Sequence, residues 1–300
     1  MEFLAGIAMP FQAADVLETK DGNLAYSKIA DNIAMVIGTD THFPYREQYI
    51  QFLTKFFNEK LINVYTSKGA NELMEHNFKK ATAYYRAALL LNSTDMMAMF
   101  GYAAALREWY LSLEDEDGVD ELIEILRGES TEYFEWSVME HPEFAPSYYY
   151  LGFAYLNASL YAKAQFIWTR FIELSPNKES GEYREITERL AQLEDPVKIE
   201  QAINKLTTGD LEGGLKILEP YVNSPFKDWW PLHYYLGCTY RELGHIPEAI
   251  EGFKNVLRLA PSHYDSNLAL AELYEEAGED ELSKKYYGKC RIIEENNKDE

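Results

Sequence analysis

The sequence predicts an all-α chain, a solenoid of stacked helix pairs behind an N-terminal helical cap. Three observations predict it. Several segments, laid against one another, share one spacing of apolar, small and proline residues. Within each segment, apolar residues recur at the three-four interval that puts them on one helix face. Glycine and proline stand between these runs, where paired helices would turn or stop. A length of 300 residues would ordinarily suggest two domains. Repeat chains instead grow by adding units to one continuous core.

Two copies align at once. Tyr150, Leu151, Gly152, Phe153, Ala154 and Tyr155 are followed by Ala164, Trp168 and Phe171 and closed by Pro176. Tyr235, Leu236, Gly237, Cys238, Thr239 and Tyr240 are followed by Ala249, Phe253 and Val256 and closed by Pro261. A third copy, with Leu270, Ala271, Tyr274, Gly278, Ser283, Tyr287 and Cys290, starts 34 residues after the second. Tyr148, Leu151, Gly152 and Tyr155 share one face and form the buried stripe of a first helix. Gly152 and Ala164 lack bulk, so two helices can approach closely there. Tyr161 and Ala164 begin the second helix, and Trp168 and Phe171 continue its stripe. Pro176 ends it, because proline has no N–H to donate and its ring clashes with the preceding turn. Gly244 and Gly278 fall where a tight turn between paired helices needs glycine's freedom.

On these residues the chain resembles the tetratricopeptide repeat, a helix-turn-helix unit of 34 residues. Weaker copies extend the array. One has Gly69, Phe78, Ala81, Tyr85 and Ala88, with Ser93 in the proline position; another has Ala103, Leu106, Phe134, Ser137 and Pro142; a third has Gly209, Gly214, Leu218 and Pro225. Six units are expected in all, units 1–3 over residues 62–194 and units 4–6 over 195–296, followed by a polar tail at 297–300. The resemblance implies a right-handed superhelix of α-α pairs whose first helices line a concave groove. Two stretches depart from the pattern. An insertion of about fifteen residues near 111–128 holds the acidic run Glu114-Asp115-Glu116-Asp117-Gly118, and an extra helix is expected near 181–194.

Residues 1–61 carry no repeat signature. Asn23 to Val36 reads as one amphipathic helix, and Tyr45 to Ile62 as another, rich in Tyr49, Ile50, Phe52, Leu53, Phe56 and Phe57. Asp40 and Thr41 are candidate caps for the second, with Pro44 as a competing boundary. The pair is expected to cover the open face of the first repeat. No capping helix is expected after the last repeat, so its outer face is either exposed or buried in a homodimer, with Tyr286, Ile292 and Ile293 as the candidate contacts.

Apolar residues make up 47% of the chain, enough for an extensive core. The formal net charge of −22 repels phosphate backbones and anionic lipid, so neither nucleic acid nor a membrane is expected as a partner. Basic partners are favoured, although solubility alone also accounts for such a charge. Cys238 and Cys290 give no disulfide framework and no Cys-x-x-Cys spacing. The N-terminus carries Glu2 and no basic residue before Lys20, which does not fit a signal peptide, and no apolar run reaches bilayer length. A cytoplasmic location is expected.

Helix geometry singles out the stripe beside the buried one as the groove surface. In the third unit it is Tyr149, Phe153 and Leu156, with Tyr150 and Asn157 at the edge. In the fifth it is Tyr234, Cys238 and Arg241, with Tyr235 and Glu242, and in the second it is Phe100, Ala104 and Arg107. The candidate partner-binding residues are therefore Phe100, Arg107, Tyr149, Tyr150, Phe153, Asn157, Tyr234, Tyr235 and Arg241. Tyrosine offers a flat apolar face and one hydroxyl, which suits peptide and proline-rich ligands. The competing reading is that each tyrosine packs against a neighbouring repeat. Chaperone adaptors of the family hold a C-terminal carboxylate with Lys, Arg and Asn. The corresponding positions here are Thr66, Ala70, Gly101, Pro146 and Tyr150, so that clamp is not expected.

The residues assemble no reaction chemistry. His42, His76, His141, His233, His245 and His263 show no metal-ligand spacing, and His-Glu-x-x-His is absent. The run Gly209 to Gly214 lacks the Lys-Ser/Thr ending of a phosphate loop, and no Gly-x-Ser-x-Gly elbow exists. Asp115, Asp117, Gly118 and Glu124 fall in step with a calcium loop, but Leu113 occupies its first ligand position, so a solvated acidic loop is expected. No catalytic residue, cofactor or metal is expected. The chain reads as a non-catalytic scaffold or adaptor that binds a peptide or protein partner in the concave groove. The alternatives are a self-assembling structural subunit, or a regulator of an effector protein acting through the N-terminal helices.

Overall fold

The computed structural model describes residues 6–11, 26–57 and 60–296. Among them are fifteen α-helices, two short 3-10 segments and no strand. The chain divides into two compact units, residues 1–188 and 189–300. The first holds α1 (Tyr26–Thr39), α2 (Arg46–Phe56) and three helix pairs: α3 (Lys60–Met74) with α4 (Phe78–Leu91), α5 (Met96–Leu113) with α6 (Asp120–Glu140), and α7 (Ala145–Asn157) with α8 (Tyr161–Leu174). Helix α9 (Gly181–Gln192) runs across the division. The second unit holds α10 (Glu194–Thr207) with α11 (Leu211–Leu218), α12 (Trp230–Glu242) with α13 (Ile246–Leu259), and α14 (Tyr264–Glu276) with α15 (Asp280–Asn296).

One steric device recurs in the pairs. A glycine in the first helix receives an aromatic ring from the second, sixteen residues later. A Cβ on Gly152 would stand 2.1 Å from Trp168 Nε1, and one on Gly69 would stand 2.9 Å from the ring of Tyr85. A Cβ on Gly237 would stand 3.1 Å from the ring of Phe253. Trp168 and Phe253 are almost fully buried as a result. Tyr85 is also wedged against Gly101 of the next pair, so this ring joins two repeats.

The turns inside the pairs are equally uniform. Backbone N–H groups of Asn77, Leu160, Asp210, His245 and Glu279 donate back over five residues to Glu72, Tyr155, Lys205, Tyr240 and Tyr274, at 2.8–2.9 Å. This is the six-to-one bond of a Schellman turn, and it requires a left-handed residue just before it. Gly209, Gly244 and Gly278 fill that place with φ of 91°, 76° and 74°, whereas His76 and Ser159 are held there at 58°. A residue with a Cβ pays about 1 kcal/mol for this conformation. Ser159→Gly is therefore expected to raise the stability of the first unit by about that amount, read as a higher urea midpoint at unchanged slope. No gain would mean that the Ser159 side chain offsets its backbone strain.

Two expectations are corrected. Tyr45 to Ile62 is not one helix. It breaks at Phe57, which is extended at φ −126° and ψ 140°, and a new helix starts at Lys60. The break lets Phe52 and Leu53 stay in the core on α2 while Leu61, Ile62 and Tyr65 are buried on α3. The start of α2 lies at Arg46, two residues past Pro44. Asp40 instead accepts the His42 N–H at 2.9 Å in a local turn. The insertion near 111–128 is mostly helical, with the acidic run as its exposed loop. It lengthens α5 to 18 and α6 to 21 residues, against 13 and 14 in α7 and α8, and only Glu114–Val119 is non-helical. Tyr110, Ile123 and Leu126 extend the core into the added turns. The described part of the first N-terminal helix runs on to Thr39; Asn23 to Ala25 and the tail at 297–300 lie outside the described residues. In the fourth unit α11 stops after 8 residues, where Pro220 interrupts the helical hydrogen bonds and a 3-10 turn follows.

Helix α1 is tied to the first repeat by polar contacts. Tyr65 donates to Ala30 O at 2.8 Å, Lys68 pairs with Asp31 at 2.5 Å, and Arg86 donates to Gly38 O at 3.0 Å. Gly38 allows this approach, since a Cβ there would meet the Ala83 backbone at 2.0 Å. Arg86 also bonds the Tyr102 hydroxyl and pairs with Glu129 at 3.3 Å. These contacts hold α1 against α3 and α4.

Candidate partner-binding clefts

In the first unit, α5 and α7 bring Phe100, Arg107, Tyr149, Tyr150 and Phe153 into one aromatic network. Phe100 meets Phe144 edge-on at 5.3 Å and Tyr150 at 5.8 Å. Tyr150 lies parallel to Phe134, 5.6 Å away, and the Arg107 guanidinium stands over its ring at 5.2 Å. Tyr149 touches Phe153 at 5.1 Å and Phe171 at 5.5 Å, and its hydroxyl donates to Glu185 of α9 at 2.8 Å. Burial, and then the Glu185 carboxylate, push that hydroxyl up to about 12. Phe153 packs edge-on against Trp168 at 5.0 Å.

A cleft of about 580 Å³ opens beside this network, lined by Phe100, Tyr149, Tyr150 and Phe171 with Pro146 and Pro176. Arg107, Phe153 and Asn157 are not in its lining. Asn157 is exposed at the last position of α7. Much of the tyrosine surface in this unit is thus engaged by the chain itself. The extra helix α9 occupies the Tyr149 hydroxyl, and Tyr150 joins the second and third pairs.

In the second unit, α12 and α14 face each other across a cleft of about 480 Å³. Tyr234, Cys238, Arg241 and Glu242 line it from α12, and Asp265, Leu268 and Glu272 from α14. Tyr234 is half-buried against Phe253, and burial and Cys238 hold its hydroxyl at about 12. Burial pushes the Cys238 thiol up as well. Arg241 pairs with Glu272 at 2.8 Å and with Glu276 at 3.8 Å. At one end of the cleft Trp230 and Tyr234 contact the His263 ring at 4.4 and 5.0 Å. His263 Nδ1 accepts the Ser266 N–H at 3.2 Å and caps α14, and burial pulls its pKa down, which keeps that nitrogen an acceptor. Tyr235 does not join this cleft. It packs toward the core formed by Ile199, Leu218 and Leu232.

The wall on α14 was missed from sequence, although its signal was present. Leu268 and Glu272 stand 34 residues after Tyr234 and Cys238. Of the candidate dimer contacts, Tyr286 is corrected. It is only 8% exposed and stacks on Tyr274 at 5.8 Å, while Ile292 is 58% exposed. Neighbouring positions on that repeat are closed by Tyr264–Glu294 and Tyr287–Glu275 hydrogen bonds at 2.6 and 2.9 Å. Among the described residues no three His, Cys, Asp or Glu side chains converge to hold a metal, and no helix is long and apolar enough to cross a membrane.

Residues 230–263, covering α12 and α13, match the tetratricopeptide repeat model. No curated protein matches the chain. Among solved structures, a crystal structure of MamA protein is 15% identical, with 80% of this chain and 95% of that one covered and a TM-score of 0.32. The TPR domain of P58(IPK) is 15% identical over 78% of this chain and 60% of that one, with a TM-score of 0.40. YrrB, described as a TPR protein with an unusual peptide-binding site, is 14% identical over 70% of this chain and 91% of that one, with a TM-score of 0.34.

Proposed function

Taking the chain as a tetratricopeptide-repeat protein, we propose that it is a non-catalytic scaffold or adaptor that holds a peptide or an exposed segment of a protein partner. The observation that carries this reading is the second-unit cleft. The first helices of two successive repeats, α12 and α14, line one open trough with both apolar and charged side chains. A trough of this kind suits an extended or helical segment, whose side chains enter it while its backbone stays solvated.

The test is a peptide selection on the full chain, followed by calorimetry of the selected peptides. Tyr234→Ala is expected to weaken binding about tenfold or more, the usual cost of truncating an aromatic anchor at an interface centre. Tyr149→Ala, in the other cleft, reports whether the first unit also binds. Selected peptides whose affinity is indifferent to both changes would remove the two clefts from the reading.

A further inference from the structure

The cleft between α12 and α14 carries more negative charge than its own lining neutralises. Arg241 is already engaged by Glu272 and Glu276. Glu242 and Asp265 line the same cleft, and neither has an ion-pair or hydrogen-bond partner among the described residues. With Glu272 set against Arg241, these two carboxylates have no cationic side chain paired with them. Aromatic surface stands beside them. Tyr234 lines the cleft, and Trp230, one turn earlier on the same face, is 37% exposed with its ring 6.4 Å from that of Tyr234.

Resting on the reading that this cleft takes a peptide, we infer that its occupant is a basic segment, placing a lysine or arginine side chain along Tyr234 and Trp230 with its charge toward Asp265 and Glu242. Three kinds of segment can be compared. An acidic one would have to displace Glu272 from Arg241 and would still face two unpaired carboxylates. An apolar one would desolvate those carboxylates without supplying a partner, a cost that buried charges do not recover. A basic one supplies the missing counter-charge, and both carboxylates are exposed and within reach of it. Its cation also gains from the face of tryptophan or tyrosine, and its aliphatic stem from the apolar wall. The net charge of −22 assists approach from a distance. It does not select this cleft, which is why the test separates local from global charge.

The probes are three fluorescein-labelled peptides of equal length on a glycine-alanine background, carrying arginine and lysine, glutamate, or leucine at the same positions. Anisotropy with the full chain is expected to favour the basic peptide, with affinity falling as salt rises. Asp265→Asn combined with Glu242→Gln is expected to weaken it at least about tenfold, equivalent to roughly 1.4 kcal/mol. Asp115→Asn combined with Asp117→Asn, in the exposed segment between α5 and α6, removes the same charge elsewhere and is expected to change affinity less than about twofold. Equal losses in the two double variants would overturn the inference in favour of general charge attraction. A leucine peptide preferred over the basic one, lost on Tyr234→Ala and indifferent to the carboxylates, would overturn it while leaving the adaptor reading intact. If no peptide responds to any cleft variant, both readings fall.

Discussion

Replacing Trp168 with alanine is expected to destabilise the first unit by about 3–5 kcal/mol, the range for deleting a buried tryptophan side chain. The ring is fully buried, and its Nε1 donates to Tyr149 O at 3.1 Å across the helix pair. It fills the space that Gly152 leaves open, so the alanine variant should contain a cavity walled by α7 and α8. That geometry makes a sharper prediction than the loss itself. Gly152→Leu alone is expected to be destabilising, because even its Cβ would stand 2.1 Å from Nε1. In the Trp168→Ala background the same leucine enters the vacated volume and should recover part of the loss. The two changes together should then cost less than their sum by about 1–3 kcal/mol, the coupling typical of residues sharing one cavity. Urea unfolding followed by circular dichroism gives all four corners of the cycle. Strict additivity would show that Gly152 is not the socket for Trp168. A functional consequence follows, since Phe153 rests on Trp168, and Tyr149 rests in turn on Phe153. A loosened Trp168 should therefore blunt any binding at the first-unit cleft before the chain unfolds.

This pairing marks where the sequence is legible. Gly152 with Trp168 and Gly237 with Phe253 restate one steric constraint at a fixed interval, and a constraint written more than once can be read by self-alignment. The extra helix α9 was legible for a related reason: Ile186, fully buried, sits in a run of alternating charge and apolar residues with helical spacing. What was misread lacks such repetition. The acidic run at 114–118 is the exposed loop its composition suggests, but the insertion around it is mostly helical, because Ile123 and Leu126 continue the helical stripe past it. The break at Phe57 leaves the apolar stripe continuous on both sides, so periodicity does not register it. Rotation about a helix axis is the finest detail and the least legible. Adjacent residues differ by about 100° around the axis. That step sends Tyr234 to the cleft and Tyr235 to the core, and it likewise buries Tyr286 while Tyr287 reaches a surface carboxylate.

Raising the pH from 10 to 12 is expected to unfold the chain, with the tyrosines ionising as the helices melt. Hydroxyls of Tyr85, Tyr149, Tyr221, Tyr234 and Tyr240 are pushed from 10.0 up to about 12, and those of Tyr65 and Tyr102 are raised further. Burial is the first cause in each. Tyr149, Tyr221 and Tyr240 also donate to Glu185, Asp195 and Glu219 at 2.8–2.9 Å, and an ionised phenol could neither donate nor stay near a carboxylate. A pKa raised by folding means that the unfolded chain releases its proton first. The associated stability is fully present below pH 10 and drains away as pH rises toward the folded value. For Tyr85, which is 5% exposed, a displacement of this size corresponds to about 3 kcal/mol. The more exposed tyrosines contribute less each, because solvent screens them. A domain holds only about 5–15 kcal/mol in total, so several such losses within two pH units exceed what the fold can spare. Lysines lose their charge in the same window, and repulsion among the acidic residues then grows, so helix loss alone is not diagnostic. Tyrosinate absorbance supplies the discrimination. If the hydroxyls are held as described, the absorbance at 295 nm should rise in step with the loss of helical signal, well above pH 10, and at higher pH in 1 M salt if surface repulsion assists. Tyrosines titrating near pH 10 while the helices stay intact would show that the buried hydroxyls and their carboxylate partners do not bind the repeats together.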